Sequence, residues 1–316
     1  MKNTLQTAVI QPLPGIGDMI WYLPALKAIA AAAPDGRITL FTRPSAQAKA
    51  LLAAEPMVKN IVPLIVTRGL WGAVPNFFRT WKALLRTRPD RLYILHHSAR
   101  YRWAARLALI PEIIAYPSAV GRAPEDGWHK SLSFLKRQGI PVAESQSRLT
   151  VAPDSIAFAR AHFSEHPQPW FIIAPAASTR ERLWPPERFA FCANSLAREK
   201  GGTVFLIGGT KDGPLIDTIL DLCSETKNIV PVIGWRFDHI MGLIACSTGL
   251  FGNDSGPANV AAALGIPAFP LCGTSTPPPH SPHLHVILPD AEAETGTGMD
   301  SISAAHALEV IGGIYD

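Results

Sequence analysis

The chain has 316 residues, with 47% hydrophobic and 17% charged side chains, which is about twice the roughly 150 residues of a typical domain. This composition supports a large core and excludes disorder, and 29 prolines and 24 glycines without a period exclude a fibrous or repeat protein. The net charge of +4 conceals an asymmetry: residues 1–150 hold 20 Lys and Arg against 8 Asp and Glu (+12), and residues 151–316 hold 9 against 17 (−8).

Apolar runs alternate with helical periodicity along the chain, the pattern of a parallel α/β protein. Thr7–Gln11 reads as a strand, followed by the turn Pro12–Gly17 and an Ala-rich helix from about Asp18 to Ala32. Arg37–Thr42 is the next strand, followed by a helix from Ser45, a strand at Ile61–Ile65 and a helix at Asn76–Arg86. Arg91–His96 and the helix Ala99–Leu109 complete a first Rossmann-like unit. The stretch Ser145–Pro169, polar and closed by Pro167 and Pro169, holds one short helix and marks a boundary, giving domains at 1–150 and 167–316.

The second unit repeats the scheme. Strands are expected at Trp170–Ala174, Thr203–Gly208, Ile229–Ile233, Gly249–Phe251 and Ala268–Leu271. Helices alternate with them at Pro186–Lys200, Gly213–Glu225, Asp238–Ala245 and Pro257–Leu264, and a last helix at Ser303–Ile311 is able to pack back on the N-terminal domain. Two Rossmann-like units in tandem imply a cleft at the carboxyl ends of both sheets.

Cys192, Cys223, Cys246 and Cys272 are widely spaced in apolar segments, so they read as free buried thiols in a reducing compartment, with no metal site. The apolar run of MKNTLQTAVIQPLPG is too short for a signal peptide, and no 18-residue apolar stretch follows it. A cytoplasmic protein is expected, free or peripheral at the inner face of the cytoplasmic membrane. The basic first half fits an anionic partner such as a glycolipid, or else attraction between the two halves. Nucleic acid is not expected, because no basic-aromatic binding module is present.

Four turns after strands carry possible chemistry. Gly15 and Gly17 permit a tight turn before Asp18, but Ile20 replaces the third glycine of a dinucleotide fingerprint, which argues against NAD. Asp18 is then either a helix N-cap or a carboxylate available as a general base. In Phe251–Pro257, Pro257 suits a first helical turn, so the amides around Ser255 and Gly256 form either a plain helix start or a cradle for a diphosphate, with Asp254 able to receive sugar hydroxyls.

The third turn, Ala177–Pro185, offers Ser178, Thr179, Arg180 and Arg182 to an anion, or is a solvated charged loop. Gly208 and Gly209 form the fourth, where backbone can approach a ligand closely. His96 and His97 end a strand and lack a carboxylate at metal spacing, which leaves them as acceptor-side candidates.

Taken together, GIGDMIWYLPALKAI, RLWPPERFAFCANSL, VFLIGG and NDSGPANVAAALGIPAFPLCGTSTP resemble glycosyltransferase family 9, the ADP-heptose:lipopolysaccharide heptosyltransferases. The resemblance implies a GT-B fold, a nucleotide-sugar donor, ADP-heptose, with no cofactor or metal, and an anionic glycolipid or glycan acceptor. By the same resemblance Asp18 is the catalytic base, Arg182 contacts donor phosphates, and Asp254, Ser255 and Gly256 form the nucleotide-sugar loop. Trp235 falls near the adenine. Asn259 stands where the family usually has His, and Cys272-Gly273-Thr274-Ser275 replaces its FGPT, both near the donor.

A nucleoside diphosphate leaves from the anomeric carbon when cationic side chains and helix amides meet its charge. Asp18 would take the acceptor's proton in a single displacement with inversion. Gly17, His97, Arg100, Arg102 and Arg106 are the expected acceptor contacts. Two other classes remain open: a non-catalytic nucleotide-sugar binder, and a GT-B-like epimerase or phosphorylase, the last lacking its cofactor-lysine motif here.

Overall fold

The computed structural model describes residues 5–67, 73–117, 126–273, 276–289 and 298–315, so Thr274 and Ser275 of the departure from the family pattern lie outside the described residues. The chain divides into one unit at Met1–Leu149 and a second at Thr150–Asp316.

In the first unit, Thr7–Gln11 (β1) is buried along its whole length, as expected of a central parallel strand covered on both faces. It leads into Ile16–Ala31 (α1), which begins two residues ahead of the expected start. Ile38–Thr42 (β2) is followed by a 3-10 turn, Pro44–Ala46, and the single turn Ala48–Leu51 (α2) rather than one helix from Ser45, because Gln47 between them is left-handed at φ 52°. Val58–Pro63 (β3) lies earlier than Ile61–Ile65 and ends at a proline, tolerable on an edge strand.

Ala73–Thr87 (α3), Arg91–Ile94 (β4) and Ala99–Leu107 (α4) follow the expected order. Glu112–Ala115 (β5) and Gly127–Arg137 (α5) were not anticipated; β5 is a four-residue edge strand, too short to show a period. The sheet order is β3-β2-β1-β4-β5, with every described pairing parallel. Its core joins Ala8, Ile10, Phe41, Leu92 and Ile94 from the strands to Leu84, Tyr101, Ala104 and Ala105 from α3 and α4.

The second unit opens at Thr150, ahead of the proline pair. Its first helix, Pro153–His162 (α6), belongs to this unit rather than to a linker. Then come Trp170–Ala174 (β6), Pro186–Lys200 (α7), Thr203–Gly208 (β7), Gly213–Asp221 (α8) and Ile229–Ile233 (β8). Phe237–Ala245 (α9), Gly249–Asn253 (β9), Gly256–Ala263 (α10), Ala268–Leu271 (β10) and Ala304–Tyr315 (α11) complete it.

The order β10-β9-β6-β7-β8 repeats the first sheet's scheme, again with parallel pairings throughout the described strands. α11 packs on α7, placing Ala307 and Ile311 in this unit's own core with Trp184, Phe189, Phe251 and Phe269. No described helix is long and apolar enough to cross a membrane.

Candidate active site

In each unit the strand order reverses beside the first strand, so a crevice opens at the carboxyl ends of β1 and β4 in one and of β6 and β9 in the other. The candidate residues of the first unit gather at the β1–β4 switch. Gly15 is the residue before α1, and Asp18 is the third residue of the helix rather than its cap. The Asp18 carboxylate accepts the Gly15 amide at 3.0 Å, and a Cβ on Gly15 would stand 2.7 Å from Asp18 Oδ2, so only glycine allows this approach. Burial pushes the Asp18 carboxyl above the ordinary carboxylate range, against the Gly15 hydrogen bond and the Arg43 charge, which both pull it down.

Arg43, at the carboxyl end of β2, was not anticipated, although a cation one residue beyond a central strand is a readable signal. Its Nε is buried without a partner, as is that of Arg100. His96 lies in the field of both: burial first, then the charges of Arg100, His97, Arg43 and Lys130, lower its pKa to about 4. The Ser98 amide donates to His96 Nδ1 at 3.0 Å, which suits a neutral ring. The result is an electropositive basin beside Asp18. Burial pushes the Tyr22 phenol, one helical turn beyond Asp18, up to about 12.

The expected acceptor contacts divide. Gly17 lies in the first turn of α1 beside Asp18. Arg100 donates to the Tyr101 hydroxyl at 2.7 Å and stands 4.6 Å over its ring, at the edge of the basin. Arg102 donates to the carbonyls of Tyr116 and His97, and His97 Nδ1 lies 2.7 Å from the Pro117 carbonyl. These bonds tie the turn after β4 to the turn after β5.

In the second unit, Asn253 at the end of β9 is fully buried and holds two loops together. It donates to the Pro175 carbonyl at 2.6 Å and accepts the Trp184 amide at 3.2 Å. Sequence reasoning passed over it as part of a motif. The clamp sets the loop after β6 against the start of α10, and there Arg182 pairs with Asp254 at 3.4 Å. Burial raises the Asp254 carboxyl, with Arg182 opposing. Ser178 and Thr179 are exposed just ahead of Arg182.

Ser255 precedes α10 with Pro257 in the first turn, and its Oγ is buried without a partner. A buried hydroxyl that does not cap its own helix calls for a ligand or ordered water. Asn259 donates to the Ser255 carbonyl at 2.9 Å, and its Oδ1 lies 2.9 Å from Nε2 of the fully buried His280. Burial lowers His280 to about 4, so it meets Asn259 as a neutral donor. No local motif marked it. Cys272 is buried nearby, its thiol pushed up to about 12 by burial and by Asp254.

Farther along the same edge, the Gly234 amide donates to the Gly208 carbonyl at 2.8 Å, which brings the turns after β7 and β8 together. The Gly209 amide is taken by Asp212 at 2.9 Å. Trp235 stacks on Phe163 at 5.2 Å and meets His162 edge-on at 4.7 Å. From Asp254 and Ser255 just beyond β9 to Trp235 beyond β8 the carboxyl edge therefore runs across three strand spacings, about 14 Å. That is the scale of an extended nucleoside diphosphate. Among the described residues no three or more His, Cys, Asp or Glu side chains are grouped to hold a metal ion.

The model of glycosyltransferase family 9 (heptosyltransferase) matches residues 101–292. The chain belongs to glycosyltransferase family 9. Lipopolysaccharide heptosyltransferase 2 of Escherichia coli (strain K12) is 25% identical over 305 residues, covering 86% of this chain and 85% of that protein. Two solved structures share the fold. A glycosyl transferase family 9 protein from Veillonella parvula DSM 2008 superposes with a TM-score of 0.83 at 17% identity, over 98% of this chain and 97% of that one. E. coli ADP-heptose lps heptosyltransferase II follows at 0.79 and 23%, covering 98% of each. The fold is thus the GT-B class of this glycosyltransferase family. Asp18 lies outside the matched residues.

Proposed function

We propose that this chain is an inverting, metal-independent glycosyltransferase that moves a heptose from ADP-heptose to an anionic acceptor of the lipopolysaccharide-core type. Family membership and the names of its relatives support the donor and acceptor classes. The observation that carries the mechanism is the half-buried Asp18 carboxylate, raised above its ordinary range beside the Arg43–Arg100 basin. A buried carboxylate holds a proton better than an exposed one.

Asp18 takes the proton of the acceptor hydroxyl as its oxygen attacks the anomeric carbon. The bond from that carbon to the diphosphate oxygen breaks on the opposite face, which inverts the configuration. Arg182, the first amides of α10 and the Ser255 hydroxyl receive the departing diphosphate, and their positive charge serves where other transferases use a cation. Arg43 and Arg100 hold the acceptor's anionic groups.

The test is transfer itself. Incubation with ADP-heptose and a phosphorylated core oligosaccharide should give one added heptose by mass spectrometry, of inverted anomeric configuration by NMR, undiminished in EDTA. A retained anomer, or activity lost to EDTA and restored by magnesium or manganese, contradicts the mechanism; transfer only from another nucleotide sugar contradicts the donor.

A further inference from the structure

Among the described residues, seven of the twelve exposed large apolar side chains fall between Ile65 and Leu109. They concentrate on the outer faces of α3 and α4, which pack side by side over the first sheet. On α3 the inward positions Asn76, Thr80 and Leu84 are buried, while Val74, Phe78 and Leu85 face solvent with Lys82 among them. On α4 and just beyond it, Trp103, Leu107 and Leu109 are 56%, 58% and 86% exposed, and the Arg106 guanidinium lies 5.4 Å from the Trp103 ring.

Such a concentration of apolar surface marks a partner or a membrane, and its charge decides between them. Residues 73–109 carry eight Lys and Arg against one acid, Asp90, whose carboxylate is occupied by the Gln6 amide at 2.7 Å. A second copy meeting this face with its own would set like charge against like. Protein interface centres are also depleted in lysine, whereas Lys82 stands inside the apolar row. Interleaved cations, aliphatic side chains and a half-exposed tryptophan are instead what a bilayer interface takes, with rings at headgroup depth and cations on anionic phosphates.

We propose that the outer face of α3 and α4 is an interfacial membrane surface that binds anionic phospholipid headgroups. It is separate from the Asp18 basin and does not depend on the transfer chemistry.

Sedimentation of the full chain with sucrose-loaded vesicles tests it, using phosphatidylcholine alone or mixed with phosphatidylglycerol. Binding to the mixed vesicles is expected, weakening with salt as exposed charges are screened. Phe78→Ser with Trp103→Ser should lower the partition coefficient at least tenfold. Lys82→Glu with Arg86→Glu should lower it roughly fivefold for each cation. Unchanged far-ultraviolet circular dichroism and melting temperature in these variants establish that they are folded, so failure here leaves the reading of the active site standing. Absence of binding to the mixed vesicles, or binding indifferent to both pairs, overturns the proposal. A concentration-dependent dimer abolished by Phe78→Ser with Trp103→Ser would assign the face to a second copy and overturn it as well.

Discussion

Three residues of the second unit stand differently beside the start of α10. Asn253 clamps the loops, with its Nδ2 and Oδ1 each bonded to backbone. Ser255 has an unused buried hydroxyl, and Arg182 lies exposed with Asp254 as its partner. Because that pair is exposed at the arginine, Arg182→Ala should change the melting temperature little. It should weaken ADP binding by about 1.5–3 kcal/mol, the range for hydrogen bonds to charged groups. Calorimetry giving an unchanged dissociation constant would remove Arg182 from the donor site. The pairing of Asn259 with His280 was not legible in sequence, because His280 comes from a segment with no secondary structure and no motif.

At the scale of elements, legibility followed the strength of the local pattern. β1 and β6 are five-residue runs buried at every position, and both were readable to the residue. β5 and α5 were not anticipated, the strand because four residues are too few to show a period. α6 was visible, but not its place against α9, which depends on a glycine far away in the chain. A Cβ on Gly242 would stand 2.0 Å from the Ser155 carbonyl oxygen, so the two helices meet backbone to backbone. Phe158, His162 and Phe163 thereby reach Trp235. Gly242→Ala should destabilise the protein by about 1–3 kcal/mol, as overpacking does, and weaken ADP binding by loosening Trp235. Thermal unfolding identical to wild type would show that the helices have room to part.

Across the whole molecule, one strand order is used twice and each copy opens a crevice at the switch beside its first strand. The repeated fold was legible because parallel strands and their crossover helices alternate visibly in hydropathy. The electropositive basin was legible only as excess charge, since Arg43 and Arg100 are far apart in the chain and meet through the sheet. The division of labour predicts that base and donor site can be damaged independently. Asp18 is suited to the test because its folded pKa is raised: whatever stability it adds holds below its unfolded value of 3.8 and is lost as pH rises through the folded value. The ionised form is therefore a burden on the fold, and Asp18→Asn should melt no lower than wild type. Asparagine can still accept the Gly15 amide but cannot take a proton. The decisive measurement is the turnover number of Asp18→Asn with saturating donor and acceptor. A fall of roughly 10²–10⁴ with ADP affinity unchanged is the expected result, the usual contribution of a positioned base. Turnover near that of wild type would contradict the account and leave Asp18 as a residue that only secures the start of α1.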